Sequence, residues 1–187
     1  EDAAGEAFYK GAQFLVLGFP GGPAVDRLAR QGNPTTIAFP RSYLKHGSHD
    51  FSFSGLKTAL LYRLQAMDEQ SRVANVADLA ASYQEAIVSV LVEKSFAAVR
   101  SSGARALAVV GGVSANSRLR TLLQERATSE SLQLSLPPLS YCTDNAAMIA
   151  AAGREALCAG FRASLDMDAN ASLSRLIGLF GLFCLFG

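Results

Sequence analysis

Apolar positions recur along the chain at helical spacing, interrupted by glycine and proline, and alternate in only a few short stretches. Over residues 2–17, Ala4, Ala7, Phe8, Gly11 and Leu15 share one helical face, and Gly18 stands where a helix-ending residue belongs. A turn at Phe19-Pro20-Gly21-Gly22-Pro23 comes next. Pro23 suits the first position of a short helix that turns Leu28 and Ala29 inward and stops at Gly32. Periodicity is lost from 33 to 50, which predicts a loop. The alternation Phe51-Ser52-Phe53-Ser54-Gly55 gives way to a helix aligning Leu56, Leu60, Leu61 and Leu64, and 68–75 reads as a polar connection. The longest amphipathic segment then sets Val76, Leu79, Ala80, Tyr83, Ile87, Val90 and Leu91 in one stripe, closed by Gly103.

The stretch LAVVGGVSAN at 107–116 organises the second half of the chain. Residues 107–110 suit a strand buried on both faces of a parallel sheet. Gly111 and Gly112 remove side chains where the strand ends, and Ser114 is the expected N-cap of a helix carrying Leu119, Leu122 and Leu123. Such a junction points backbone N–H groups and the positive end of a helix dipole at one spot, which suits an anion. A tight strand-to-helix connection needs the same glycines. Leu132, Leu134 and Leu136 alternate as a second strand, at the separation of a right-handed βαβ unit. Pro137-Pro138 ends that strand. Residues 140–143 lead into a helix rich in Ala146, Ala147, Ala150, Ala151, Ala152 and Gly153, closed by Gly160; its small side chains permit close approach to a sheet or ligand. The fold class is α/β, helix-rich with a small parallel sheet. Two strands leave edges that need covering, a sign of neighbouring strands outside this chain.

Composition narrows the class. The 187 residues are half hydrophobic and 18% charged, which is globular rather than disordered. A net charge of +1 with no basic run makes no electrostatic case for nucleic-acid binding by itself. Cys142, Cys158 and Cys184 are odd in number and form no CxxC, so reduced thiols in a cytoplasmic setting fit best. The apolar tail 176–187 is shorter than the roughly 20 residues of a membrane helix and is read as an irregular chain end, so no membrane span is expected. Glu1 is not an initiator Met, and no signal peptide is recognisable. His46 and His49 lie three apart on a loop with only Asp50 beside them, and are read as loop surface. No nucleophile–base pair and no HExxH is legible, which argues against a peptidase.

Five segments in order carry a resemblance: DAAGEAFYK at 2–10, PGGP at 20–23, DFSFSGLKT at 50–58, GGVSAN at 111–116 and CTDNAAMIA at 142–150. Together they resemble the tRNA adenosine threonylcarbamoyltransferases (TsaD family, formerly labelled glycoprotease-like), over about residues 1–170. The resemblance implies a two-lobed actin/Hsp70-like (ASKHA) ATPase fold. This chain would be part of the second lobe (1–170) followed by the irregular tail (171–187), with the N-terminal lobe missing. It further implies transfer of a threonylcarbamoyl group from threonylcarbamoyl-AMP to the adenosine next to the anticodon of tRNAs reading ANN codons. One divalent metal ion, iron or zinc, would sit between the lobes, and accessory proteins of the same modification pathway would be partners. A non-catalytic paralogue or partner-binding module is the alternative.

By the same resemblance, Asp144 in CTDN matches a metal-ligating aspartate, and the other ligands, a His-x-x-x-His pair, lie upstream of this chain. Asn116 matches a nucleotide contact, and Gly111 and Gly112 bring backbone close to that ligand. Gly22 matches a close backbone approach to the nucleotide, and Asp26 an acidic position holding ribose hydroxyls. Tyr9 departs from the family, whose pattern reads AFDK with a nucleoside-binding aspartate; one phenol cannot accept from both ribose hydroxyls as a carboxylate can. No catalytic residue is assigned. Arg41, Lys57, Arg118 and Arg120 are candidates to face tRNA phosphates, with solvated surface as the plainer reading of each. The isolated chain is expected to be inactive.

Overall fold

A computed structural model describes residues 3–41, 48–162 and 164. In chain order its elements are α1 (Ala4–Phe14), α2 (Gly21–Ala29), α3 (Ser54–Gln65), α4 (Glu69–Ala74), α5 (Val76–Ser102), β1 (Ala106–Ala108), a 3-10 turn (Gly112–Ala115), α6 (Ser117–Ser129), β2 (Gln133–Ser135), a second 3-10 turn (Leu139–Tyr141) and α7 (Ala146–Cys158).

Helix α5 is the axis. From Leu79 to Phe96 its buried residues lie on every side, so a helix read as one-faced is enclosed nearly all round. Helices α2 and α6 pack along it, α1 packs on α2 and α3, and α3, which buries Leu56, Leu60 and Leu64, touches α5. Tyr83 is fully buried: its hydroxyl donates to the Ala7 carbonyl at 2.9 Å, and Phe39 meets its ring edge-on at 5.8 Å. Its pKa is raised well above the usual tyrosine value because burial disfavours the phenolate. Gly11 is required at this contact, since a Cβ there would come within 2.5 Å of the Tyr83 ring. The segment after α2 is tied to the start of α5. Asp78 accepts from the Asn33 N–H at 2.8 Å and the Thr36 hydroxyl at 3.1 Å, and the Ile37 N–H donates to Ser82 Oγ.

β1 and β2 pair in parallel with Leu107 opposite Leu134. This α/β arrangement with a two-stranded parallel sheet is the one expected, and several boundaries differ. β1 is shorter and not buried on both faces: Leu107 is buried while Ala106 and Ala108 are exposed, because nothing described packs on the second face. α1 stops at Phe14, and Leu15 to Gly18 form the reversal, with Val16 and Gly18 at positive φ. α2 starts two residues early: Pro20 is the N-cap and Pro23 the third helical residue, where no intrahelical N–H is needed either. The 68–75 connection contains α4, because Asp68 caps it by accepting from the Ser71 N–H at 2.8 Å. Ser114 is not the cap of α6. It is buried in the 3-10 turn with its hydroxyl on the Gly111 carbonyl, and Asn116 takes the cap position. α7 has no buried residue, so its small side chains approach nothing described. The tail 171–187, Cys184 and His46 lie outside the described residues. Among the described residues no helix is long and apolar enough to cross a membrane.

Candidate functional site

Three turns distant in sequence converge on one cleft of about 680 Å³. The reversal into α2 contributes Pro20, Gly22 and Pro23, and α2 itself contributes Asp26. The turn after β1 contributes Gly112, Val113 and Asn116, and the chain after β2 contributes Leu139 and Thr143. An apolar wall closes the back with Phe8, Phe51, Phe53 and Leu91; the Phe51 and Phe53 rings lie nearly parallel, 6.3 Å apart.

The start of α2 lines this space at Gly22, while Gly21 is buried against α1. Pro20 offers no side-chain cap, and among the described residues the Gly21 and Gly22 N–H groups have no backbone acceptor. They lie at the positive end of a nine-residue helix, an arrangement that attracts an anion. Gly22 is not required by its backbone, which has no positive φ, and a Cβ there would meet nothing within 4 Å. Gly112 shows the same openness. Gly111 differs: its φ of 88° is forbidding to other residues, so it serves the turn itself and does not line the cleft.

Asp26 is only 8% exposed. One carboxylate oxygen accepts from Ser117 Oγ at 2.7 Å and the other from Arg30 at 2.9 Å, which fixes the group and leaves lone pairs on both oxygens. Asn116, also 8% exposed, caps α6 through Oδ1, which accepts from the Leu119 N–H at 2.9 Å. Its Nδ2 donates to Gln84 Oε1 at 2.7 Å. Tyr9 is 42% exposed, accepts from Gln13 Nε2 at 2.9 Å and does not line the cleft.

Arg120 joins two of the turns. Its guanidinium donates to the Ser114 carbonyl and the Pro137 carbonyl, each at 2.9 Å, so the turn after β1 and the end of β2 are held together by one group. Arg118 forms a bidentate pair with Glu85 at 2.7 and 3.0 Å, and that hydrogen bonding raises its pKa further. Lys57 pairs with Glu6 at 3.1 Å. Of the four cations considered for tRNA phosphates, these three have partners within the chain, and Arg41 is exposed. His49 is exposed with its Nε2 3.0 Å from Ser101 Oγ.

Asp144 is exposed beside Asn145, which is the residue that caps α7 by accepting from the Met148 N–H at 3.0 Å. Neighbouring Thr143 lines the cleft and Asp144 does not. Among the described residues no group of three or more His, Cys, Asp or Glu comes together to hold an ion. One carboxylate is one ligand, so the residues present do not by themselves fit a divalent metal.

The Phe51–Phe53 wall was not singled out from the sequence as part of a cleft, nor were Gln84 and Arg120, which support the cleft from outside its lining. A glutamine inside the apolar stripe of α5 was the available signal for Gln84.

The family model for tRNA N6-adenosine threonylcarbamoyltransferase (TsaD) matches residues 1–151. The tRNA N6-adenosine threonylcarbamoyltransferase of Anaeromyxobacter dehalogenans (strain 2CP-1 / ATCC BAA-258) is 53% identical over 171 residues, covering 91% of this chain and 51% of its own. The protein of that name from Thermotoga neapolitana is 47% identical over 174 residues, covering 93% of this chain and 52% of its own. That from Trichlorobacter lovleyi is 48% identical over 172 residues, covering 92% and 50%. The chain spans about half the length of the curated relatives it matches. With its glycine turns, Asp26 and Asn116 brought to one cleft and most of its length matched, the chain belongs to the tRNA N6-adenosine threonylcarbamoyltransferase (TsaD) family.

Proposed function

We propose that the cleft holds the adenylate of threonylcarbamoyl-AMP, and that the chain is the second-lobe half of an actin/Hsp70-like enzyme modifying tRNA in the cytoplasm. In the reaction, the exocyclic amine of the adenosine next to the anticodon attacks the carbamoyl carbon. The bond from that carbon to the phosphate oxygen breaks, AMP leaves with the electron pair, and the amine loses a proton. The acceptors are tRNAs that read ANN codons.

The observation that carries this reading is the meeting of Gly22, Asp26, Gly112 and Asn116 in one cleft, from segments nearly a hundred residues apart. The unmet N–H groups at the start of α2 suit the phosphate. Asp26 suits ribose hydroxyls and the aromatic wall suits a base, so positioning and electrostatics are what this half supplies. Asp144 is proposed as one ligand of an iron or zinc ion whose other ligands lie outside this chain. The other lobe, tRNA and accessory proteins of the modification pathway complete the assembly.

The test pairs binding with chemistry. Isothermal titration of the 187-residue chain is expected to show AMP binding, and GMP binding weaker by about tenfold. Incubation with threonylcarbamoyl-AMP and unmodified tRNA is expected to yield no modified nucleoside by mass spectrometry, and product formation would overturn the view that half the enzyme is insufficient. A second reading, a binding module without catalysis, is favoured by Tyr9 alone. If Tyr9→Asp raises AMP affinity about fivefold, Tyr9 is a weakened nucleotide contact; an unchanged affinity removes Tyr9 from the site.

A further inference from the structure

We infer that Gln84, which lies outside the lining of the cleft, is a positioning residue that holds the Nδ2 half of the Asn116 amide in place from behind. This rests on the adenylate reading above. Gln84 is 4% exposed within α5, and its Oε1 accepts from Asn116 Nδ2 at 2.7 Å. Asn116 Oδ1 is turned to the Leu119 N–H at the start of α6. The Leu119 N–H can only donate, so it fixes which way the Asn116 amide lies; Gln84, whose own amide can present either end, then accepts from Nδ2 and holds that half in place. What remains is one Nδ2 hydrogen and one Oδ1 lone pair, and these are what the amide offers a ligand.

Capping alone does not call for Gln84. Oδ1 satisfies the helix, and a serine at 116 would do the same. Gln84 engages the half of the amide that the cap leaves unused. The next residue, Ser117, donates to Asp26 at 2.7 Å, so the first turn of α6 is referenced to α5 and α2 at successive positions. Asp26 and Asn116 are thereby both held from behind.

The test is a double-mutant cycle read by titration with AMP on the 187-residue chain. Asn116→Ser keeps an oxygen to cap α6 and lacks the Nδ2 donor. Gln84→Met is expected to weaken AMP binding about tenfold in the parent and less than about twofold in the Asn116→Ser background. Gln84→Glu, which keeps an acceptor, is expected to restore binding to within about threefold of the parent. An equal loss in both backgrounds would mean packing alone, and an unchanged affinity no role; either overturns the inference. Gln84→Ala replaces Gln84→Met if that variant does not fold. A parent that binds no AMP fails at the earlier step, and the adenylate reading and this inference fall together.

Discussion

Glycines at two positions look alike in the sequence and stand in opposite surroundings. A Cβ at Gly32 would lie 2.1 Å from the Ala77 carbonyl oxygen and 2.3 Å from its carbon, which are backbone atoms at the start of α5 and cannot step aside. Gly32→Ala is therefore expected to cost about 1–3 kcal/mol or more, seen as a lower midpoint in denaturant unfolding. Gly22 has open space around it and ordinary backbone angles. Gly22→Ala is expected to leave stability unchanged or raised by about 0.5–1 kcal/mol, while weakening AMP binding about tenfold. A Gly22→Ala variant binding AMP as well as the parent would show that backbone and ligand do not approach there. The glycine motif at 20–23 was readable in the sequence; the reason for a glycine at 32 was not, because Ala77 is 45 positions away.

At the scale of elements, capping and cross-bracing decide how the turns sit. Arg120 bridges the Ser114 and Pro137 carbonyls with the forked geometry of a guanidinium. Arg120→Lys keeps the charge and loses the fork, so AMP affinity is expected to fall several-fold and stability by about 1–2 kcal/mol, measured together by titration and unfolding. The Asp68 cap of α4 gives a pH signature. The Ser71 N–H and hydroxyl hold the Asp68 carboxyl below the usual aspartate range. Its folded-state pKa is depressed, so the cap stabilises above the unfolded value of about 4 and is lost as pH falls through the lower folded value. Asp68→Asn still caps and does not titrate. The stability difference between parent and Asp68→Asn is expected to shrink as pH drops below about 4 in unfolding experiments, and a constant difference would remove the linkage. Glu130, lowered chiefly by its Arg126 hydrogen bond and also by Arg100, adds acid sensitivity at the end of α6.

For the molecule as a whole, periodicity placed every helix of the described residues except α4, together with the parallel strand pair and the turn at 111–116, since those arise from local spacing and from what glycine and proline forbid. The family was legible because five short motifs survive in order, each a local feature of the chain. Tertiary structure decided the rest. Asn116 rather than Ser114 caps α6, because the Gly111 conformation winds the next four residues into a 3-10 turn and delays the helix. Arg118 and Arg120 turn inward because Glu85 and two carbonyls await them, partners no spacing rule could supply. Whether Gly22, Asp26, Gly112 and Asn116 share one cleft depends on α5 bringing α2 and α6 to its sides. Local sequence sets what each segment is able to be; only long-range packing sets which segments meet, because contacts distant in the chain are chosen by the burial of the whole core and not by their neighbours in sequence.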